Sequence, residues 1–92
     1  MFYLINNKLF MSRIEFIDEK VREAVRKVSS FELDKVEDDD KLHDDLALES
    51  LELVELAMEL EKKFGIELSD DECETFDEIT VKQLITLVKN KL

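Results

Sequence analysis

One serine stands where the charge pattern of the chain meets its helical periodicity. Ser50 follows an acidic stretch, Asp44-Asp45-Leu46-Ala47-Leu48-Glu49, and precedes a long apolar-periodic segment, Leu51 to Phe64. A serine at that junction is a natural N-cap, because its side-chain oxygen can accept an orphan amide proton of the first turn. The same position leaves the hydroxyl at a helix tip, where the positive end of the peptide dipoles favours a phosphate. No histidine or lysine is placed to activate Ser50 as a nucleophile, which argues against a serine hydrolase. If Ser50 reacts, another protein must perform the chemistry, so the chain reads as a non-enzyme.

Other chemistries find less support. Cys73 is the single cysteine, which precludes an internal disulfide and fits a reducing cytosol. Its neighbours Glu72 and Glu74 should raise its pKa and leave an inert thiol. His43, the single histidine, lies in a polar loop with no second imidazole or thiol to share a metal. A calcium loop starting at Asp38 fails, since Leu42 occupies the fifth position and His43 the place of the required glycine. Paired carboxylates are plentiful, yet a domain this small has no evident cleft to shift their pKa values. Neither a metal nor a catalytic residue is expected.

The elements that must position Ser50 follow from composition and period. Ninety-two residues make one small domain. Apolar content of 45% supports one modest core, and no proline with a single glycine leaves few turn signals for hairpins. The fold class is therefore all-α. Ile14, Ile17, Val21, Ala24, Val25 and Val28 recur at helical spacing, with Ser12 and Glu15 as a capping box and Ser29-Ser30 as the end. A long connection, Phe31 to Glu49, follows, with Phe31, Val36, Leu42 and Leu46 as apolar anchors. The second helix runs from about Ser50 to Phe64, with Lys62 and Lys63 in its last turn and Gly65 as a left-handed stop. Ser69 caps a short acidic helix over about Asp70 to Thr75. Thr80 caps a last helix over about Val81 to Lys91, with Val81, Leu84, Ile85 and Val88 facing inward. Three main helices plus one short one, joined by a long first loop, pack as a small bundle. Residues 1–11 are expected to be a mobile extension of unassigned role and 12–92 the domain. Met11-Ser12 resembles an alternative start, and the apolar run Phe2-Tyr3-Leu4-Ile5 is too short for a signal or a membrane span.

A helical wheel divides the second helix in two. Leu53, Leu56, Ala57, Leu60 and Phe64 fall within roughly 100°, an arc suited to the core. Leu51, Val54 and Met58 form another stripe roughly 135° away, flanked by Glu55 and Glu61. A domain of this size has no second core to receive them. Three readings remain open on geometry alone: scattered surface residues, a stripe covered by the third helix, or a docking patch whose methionine adapts to several partners. Charge bears on the choice. The formal net charge of −11 disfavours nucleic acid and anionic membranes and favours partners with basic patches. Between Glu49 and Glu78 stand twelve carboxylates against Lys62 and Lys63 alone.

Taken together, these words resemble an acyl carrier protein. The matching segments are Leu42-x-x-Asp45-Leu46, Glu49-Ser50-Leu51-Glu52, Val54-Glu55-Leu56, Met58-Glu59-Leu60-Glu61, Phe64-Gly65-Ile66 and Thr80-Val81-x-x-Leu84. The similarity covers about Ser12 to Leu92. It implies that Ser50 receives 4′-phosphopantetheine from coenzyme A through a dedicated magnesium-dependent transferase. The arm's thiol then carries acyl groups as thioesters for fatty-acid, polyketide or related specialised synthesis. It also places Glu49, Leu51, Glu52, Val54, Glu55, Met58 and Glu61 on the partner-recognition helix. The implied partners are the phosphopantetheinyl transferase and acyl-loading ligases or synthases with basic docking patches. A cytoplasmic monomer is implied, without nucleic acid or membrane insertion. Four departures from the family pattern point to a specialised carrier. Glu49 replaces the usual aspartate, Ala47-Leu48 replaces the common Gly-Ala, Lys62 and Lys63 bring positive charge, and Thr75 to Ile79 is about two residues longer. An aminoacyl or peptidyl carrier, such as a D-alanyl carrier, shares the fold and the serine, and an unmodified acidic helical adaptor would keep the docking stripe alone.

Overall fold

The computed structural model describes residues 16–92. The capping box of Ser12 and Glu15, the residue Ile14 and the extension at 1–11 lie outside the described residues. Helix α1 covers residues 16–28 of the described chain and ends at the Ser29-Ser30 pair. Its apolar stripe is spent on the core: Val21, Ala24 and Val25 are wholly buried, and Ile17 and Val28 pack at the margin. Helix α2 spans Ser50–Phe64, α3 spans Asp70–Glu74, and α4 spans Val81–Lys91. Among the described residues there is no strand, only an isolated bridge between Lys41 and Thr80. The fold is all-α.

Helix ends follow their chemistry. Gly65 stops α2 at φ 65°, its amide donating to the Glu61 carbonyl at 2.9 Å, while Lys62 and Lys63 complement the negative end of the helix dipole. Ser69 caps α3, its hydroxyl accepting from the Glu72 amide at 3.1 Å. Thr80 caps α4, accepting from the Gln83 amide at 3.2 Å. In α4 the inward stripe Val81, Leu84, Ile85 and Val88 is buried as the periodicity predicts.

Two expectations need correction. The short acidic helix does not stop at Thr75; it tightens into a 3₁₀ turn over Thr75–Asp77. That tightening rotates Phe76 inward, where it is wholly buried. Phe31, expected as a core anchor, is 63% exposed. The backbone just before it is held by Ser30, whose amide donates to Glu52 at 2.8 Å, so Phe31 points away and Leu33 takes the half-buried place.

The long first loop otherwise lies on the core, with Val36, Leu42 and Leu46 buried. It is also stitched to the start of α4. The Leu42 amide donates to the Ile79 carbonyl (3.1 Å), the Val81 amide to Asp40 (2.8 Å) and the Lys82 amide to Asp38 (2.9 Å). These bonds satisfy backbone groups that an irregular segment would otherwise leave unpaired. Arg22 of α1 adds a bond from Nε to the Val36 carbonyl at 3.1 Å and an ion pair with Asp38.

Candidate functional site at the start of the second helix

Ser50 is exposed and is the first residue of α2, not its cap. Glu49 caps instead, in an extended conformation at φ −83°, ψ 169°. The firm half of this capping box is the Glu52 carboxylate, which accepts from the Glu49 amide at 2.8 Å; the return from Glu49 is looser. The expectation of Ser50 as N-cap is therefore corrected, with a chemical consequence. Relieved of capping, the Ser50 hydroxyl stays available at the positive end of the helix.

Glu52 departs from its expected place on a partner face. Its residue is buried, and its Oε2 accepts from both the amide and the hydroxyl of Ser30 while Oε1 holds Glu49. The Glu49 amide chiefly, then the Ser30 hydroxyl, hold this carboxyl below the usual range, against the opposing effect of burial. Glu52 thus ties the start of α2 to the end of α1 and is not presented to a partner. The Glu-x-x-Glu spacing was visible in the sequence, whereas Ser30, twenty-two residues away, carried no local signal.

The loop that delivers Ser50 is fixed from below. Leu48 is wholly buried, a core residue that the periodicity did not reveal because it stands outside any helix. Ala47 adopts φ 59°, the left-handed region that disfavours a Cβ. His43 Nδ1 meets the Leu48 carbonyl at 2.8 Å, and this bond is the main reason the imidazole pKa is raised. A donor role for Nδ1 suits that partner, since a carbonyl only accepts.

Beside Ser50 a groove of about 180 Å³ opens between α2 and α3, lined by Leu53, Val54, Cys73, Glu74 and Asp77. Burial first, then Glu61, Asp70 and Glu72, push the Cys73 thiol up, so the sulfur is a poor thiolate. Leu51, Val54 and Met58 are 72%, 56% and 63% exposed, so the third helix does not cover them. Glu49 and Glu55 are exposed near this stripe. Glu61 is half-buried, with Oε2 accepting from the Leu68 amide at 2.9 Å. On the other side of Met58 a wider groove of about 710 Å³ lies between α1 and α2, walled by Lys27, Val28, Glu55, Glu59 and Lys62.

Chemically, the arrangement suits a group esterified to the Ser50 oxygen. The hydroxyl is reachable, the first-turn amides favour a phosphodiester, and the adjacent groove leaves room for a tether. Among the described residues no cluster of three metal-ligating side chains occurs, and no helix is long and apolar enough to cross a membrane.

Comparison with known proteins accords with this chemistry. A family model for the phosphopantetheine attachment site matches residues 19–88. An acyl carrier protein of Campylobacter hominis is 43% identical over 72 residues, covering 78% of this chain and 89% of the relative. One from Sulfurovum is 40% identical over 70 residues, 76% of this chain and 91% of its own. One from Buchnera aphidicola is 32% identical over 75 residues, 82% of this chain and 92% of its own. With a family model across most of its length and relatives this similar, the chain belongs to the phosphopantetheine-bearing acyl carrier proteins, which carry their cargo and do not catalyse.

Proposed function

We propose that Ser50 is the residue that takes the 4′-phosphopantetheine arm, and that the chain serves fatty-acid, polyketide or related specialised synthesis. One observation carries the assignment: Ser50 is exposed on the first turn of α2 while the capping task falls to Glu49. The other described serines are engaged. Ser29 Oγ accepts from the Phe31 amide, the Ser30 hydroxyl donates to Glu52, and Ser69 caps α3.

In the transfer, the Ser50 oxygen forms a bond to the pantetheine-linked phosphorus of coenzyme A as the bond to the 3′-phosphoadenylate half breaks. Adenosine 3′,5′-bisphosphate leaves, and the hydroxyl proton passes to the transferase. The arm, when bound, supplies a thiol that holds acyl groups as thioesters. The rest is the work of this chain. Helix α2 holds the tether point rigidly, and a flexible tether raises the local concentration of cargo at a docked enzyme. Leu51, Val54 and Met58 offer an apolar strip, and Glu49, Glu55 and Glu61 favour a basic partner surface.

Incubation with coenzyme A, magnesium and a broad-specificity phosphopantetheinyl transferase should add a single phosphopantetheine mass. Ser50→Ala should abolish the addition while circular dichroism stays helical. A Ser50→Ala chain that is still modified would refute the assignment.

A further inference from the structure

Two adjacent residues compete for the cap of α2, and the intrinsically better one does not hold it. Serine ranks among the strongest N-cap residues, and glutamate stands outside that group. On local chemistry alone α2 would start one residue later. Ser50 would then take the extended cap conformation, and its oxygen would accept from the Glu52 or Leu53 amide, the second and third positions of that helix. Its hydroxyl would be engaged. Instead Glu49 is the extended residue, Ser50 is helical, and the Leu53 amide donates to the Glu49 carbonyl at 2.9 Å.

The group that opposes the later start is the carboxylate of Glu52. As third residue of the observed helix it accepts from the Glu49 amide through Oε1 at 2.8 Å. With Ser50 as the cap, the third place would fall to Leu53, which has no oxygen to offer the cap amide. Glu52 is in turn held from outside the helix. Its Oε2 accepts from the Ser30 amide at 2.8 Å and from the Ser30 hydroxyl. Ser30 stands two residues past the end of α1, a helix rooted in the core by the wholly buried Val21, Ala24 and Val25. One carboxylate therefore joins the start of α2 to a fixed point on another element. Glu52 is 8% exposed, which removes it from the surface that a docked enzyme would touch.

We propose that Glu52 is a positioning residue for transfer of the arm: by joining the Glu49 amide to Ser30 it fixes the start of α2 ahead of Ser50, and so keeps the Ser50 hydroxyl out of the cap. The link to transfer rests on the reading of Ser50 as the attachment point; the position of the cap does not.

Its test pairs carbon chemical shifts of the full chain with the kinetics of modification. In Glu52→Ala the Ser50 Cα and Cβ shifts should move from helical to extended values. With coenzyme A, magnesium and the broad-specificity transferase, kcat should fall about fivefold, the population ratio that a typical serine cap commands. KM for the carrier should not change, because the exposed Leu51, Val54 and Met58 do not depend on which residue caps. Glu49→Asp added to Glu52→Ala restores a strong cap at position 49. It should return Ser50 to helical shifts, which a loss of general stability would not predict. Glu49→Ala keeps the backbone amide that Glu52 holds, so Ser50 should stay helical there as well.

Either helical Ser50 shifts or an unchanged kcat in Glu52→Ala would overturn the proposal. So would a raised KM at unchanged kcat, which would make Glu52 a direct contact of the transferase. Should circular dichroism show Glu52→Ala to be unfolded, Glu49→Ala decides: extended Ser50 shifts would mean that the Glu49 side chain, and not Glu52, sets the start of α2. Absence of modification in the unsubstituted chain would count against Ser50 as the attachment point, and the carbon shifts would still decide where α2 is capped.

Discussion

Each end of α2 has a left-handed residue beside it: Ala47 at φ 59°, three residues before Ser50, and Gly65 at φ 65°, directly after Phe64. At the far end glycine makes the turn without steric cost, and a Cβ built there would meet nothing within 4 Å. At the Ser50 end an alanine holds the same conformation, a strain of roughly 1–2 kcal/mol for a residue with a side chain. What maintains it is the surroundings. The Ala47 amide donates to the His43 carbonyl and the Leu48 amide to that of Leu42, both at 3.0 Å, and Leu48 is wholly buried. A strained residue persists where neighbours over-determine it. The comparison teaches that the Ser50 end of the helix is positioned by loop hydrogen bonds and the burial of Leu48 in the core, and the opposite end by the choice of a single residue.

The strongest way to break the contrast is to remove the anchor. Leu48→Ala should destabilise the fold by about 2–5 kcal/mol, read as a lowered midpoint in urea. It should also raise amide exchange at residues 47–50 above that at 63–66. Exchanging the two left-handed residues should give opposite signs. Gly65→Ala should cost about 1–2 kcal/mol, entirely through backbone conformation because the space is open. Ala47→Gly should gain somewhat less, since glycine loses more conformational freedom on folding. If both changes destabilise equally, Ala47 is not strained.

Two titrations sharpen the comparison with smaller effects. The Glu52 carboxyl is held below its ordinary value of 4.5, so its stabilisation is complete above that value and lost as pH falls through the folded pKa. Glu52→Gln should therefore lower the melting temperature at neutral pH and flatten its decline between about pH 5 and 3. Glu72, held down chiefly by Lys91 at 2.7 Å, will leave a residual slope. His43 acts with the opposite sign. Its pKa is raised above 6.5, so its contribution is complete below that value and fades as pH rises through the folded pKa. His43→Gln should remove a small loss of stability between about pH 6 and 8.

How far the sequence disclosed all this depended on range. Helix periods placed Leu53, Leu56, Ala57 and Leu60 of α2 and the whole inner stripe of α4 in the core. Local cap chemistry placed Ser69, Thr80 and Gly65. The same local logic misassigned the cap of α2, because Glu49 and Ser50 are both competent and only the backbone angles decide. Phe76 was hidden by a 3₁₀ turn, and Leu48 by lying in a loop without a period. Phe31 failed as an anchor for a reason no window could contain: its neighbour Ser30 bonds to a glutamate in another helix. At the site, the exposed stripe was readable and the occupation of Glu52 was not.

The stitching of the first loop to α4 has a consequence for how the molecule breathes. Leu42, Val81 and Lys82 share bonds between segments about forty residues apart, so fraying of the last helix at its start must release the loop as well. Their amides should exchange with solvent as one cooperative unit, and any enzyme that pries open the loop beside Ser50 would loosen the far side of the bundle in the same motion.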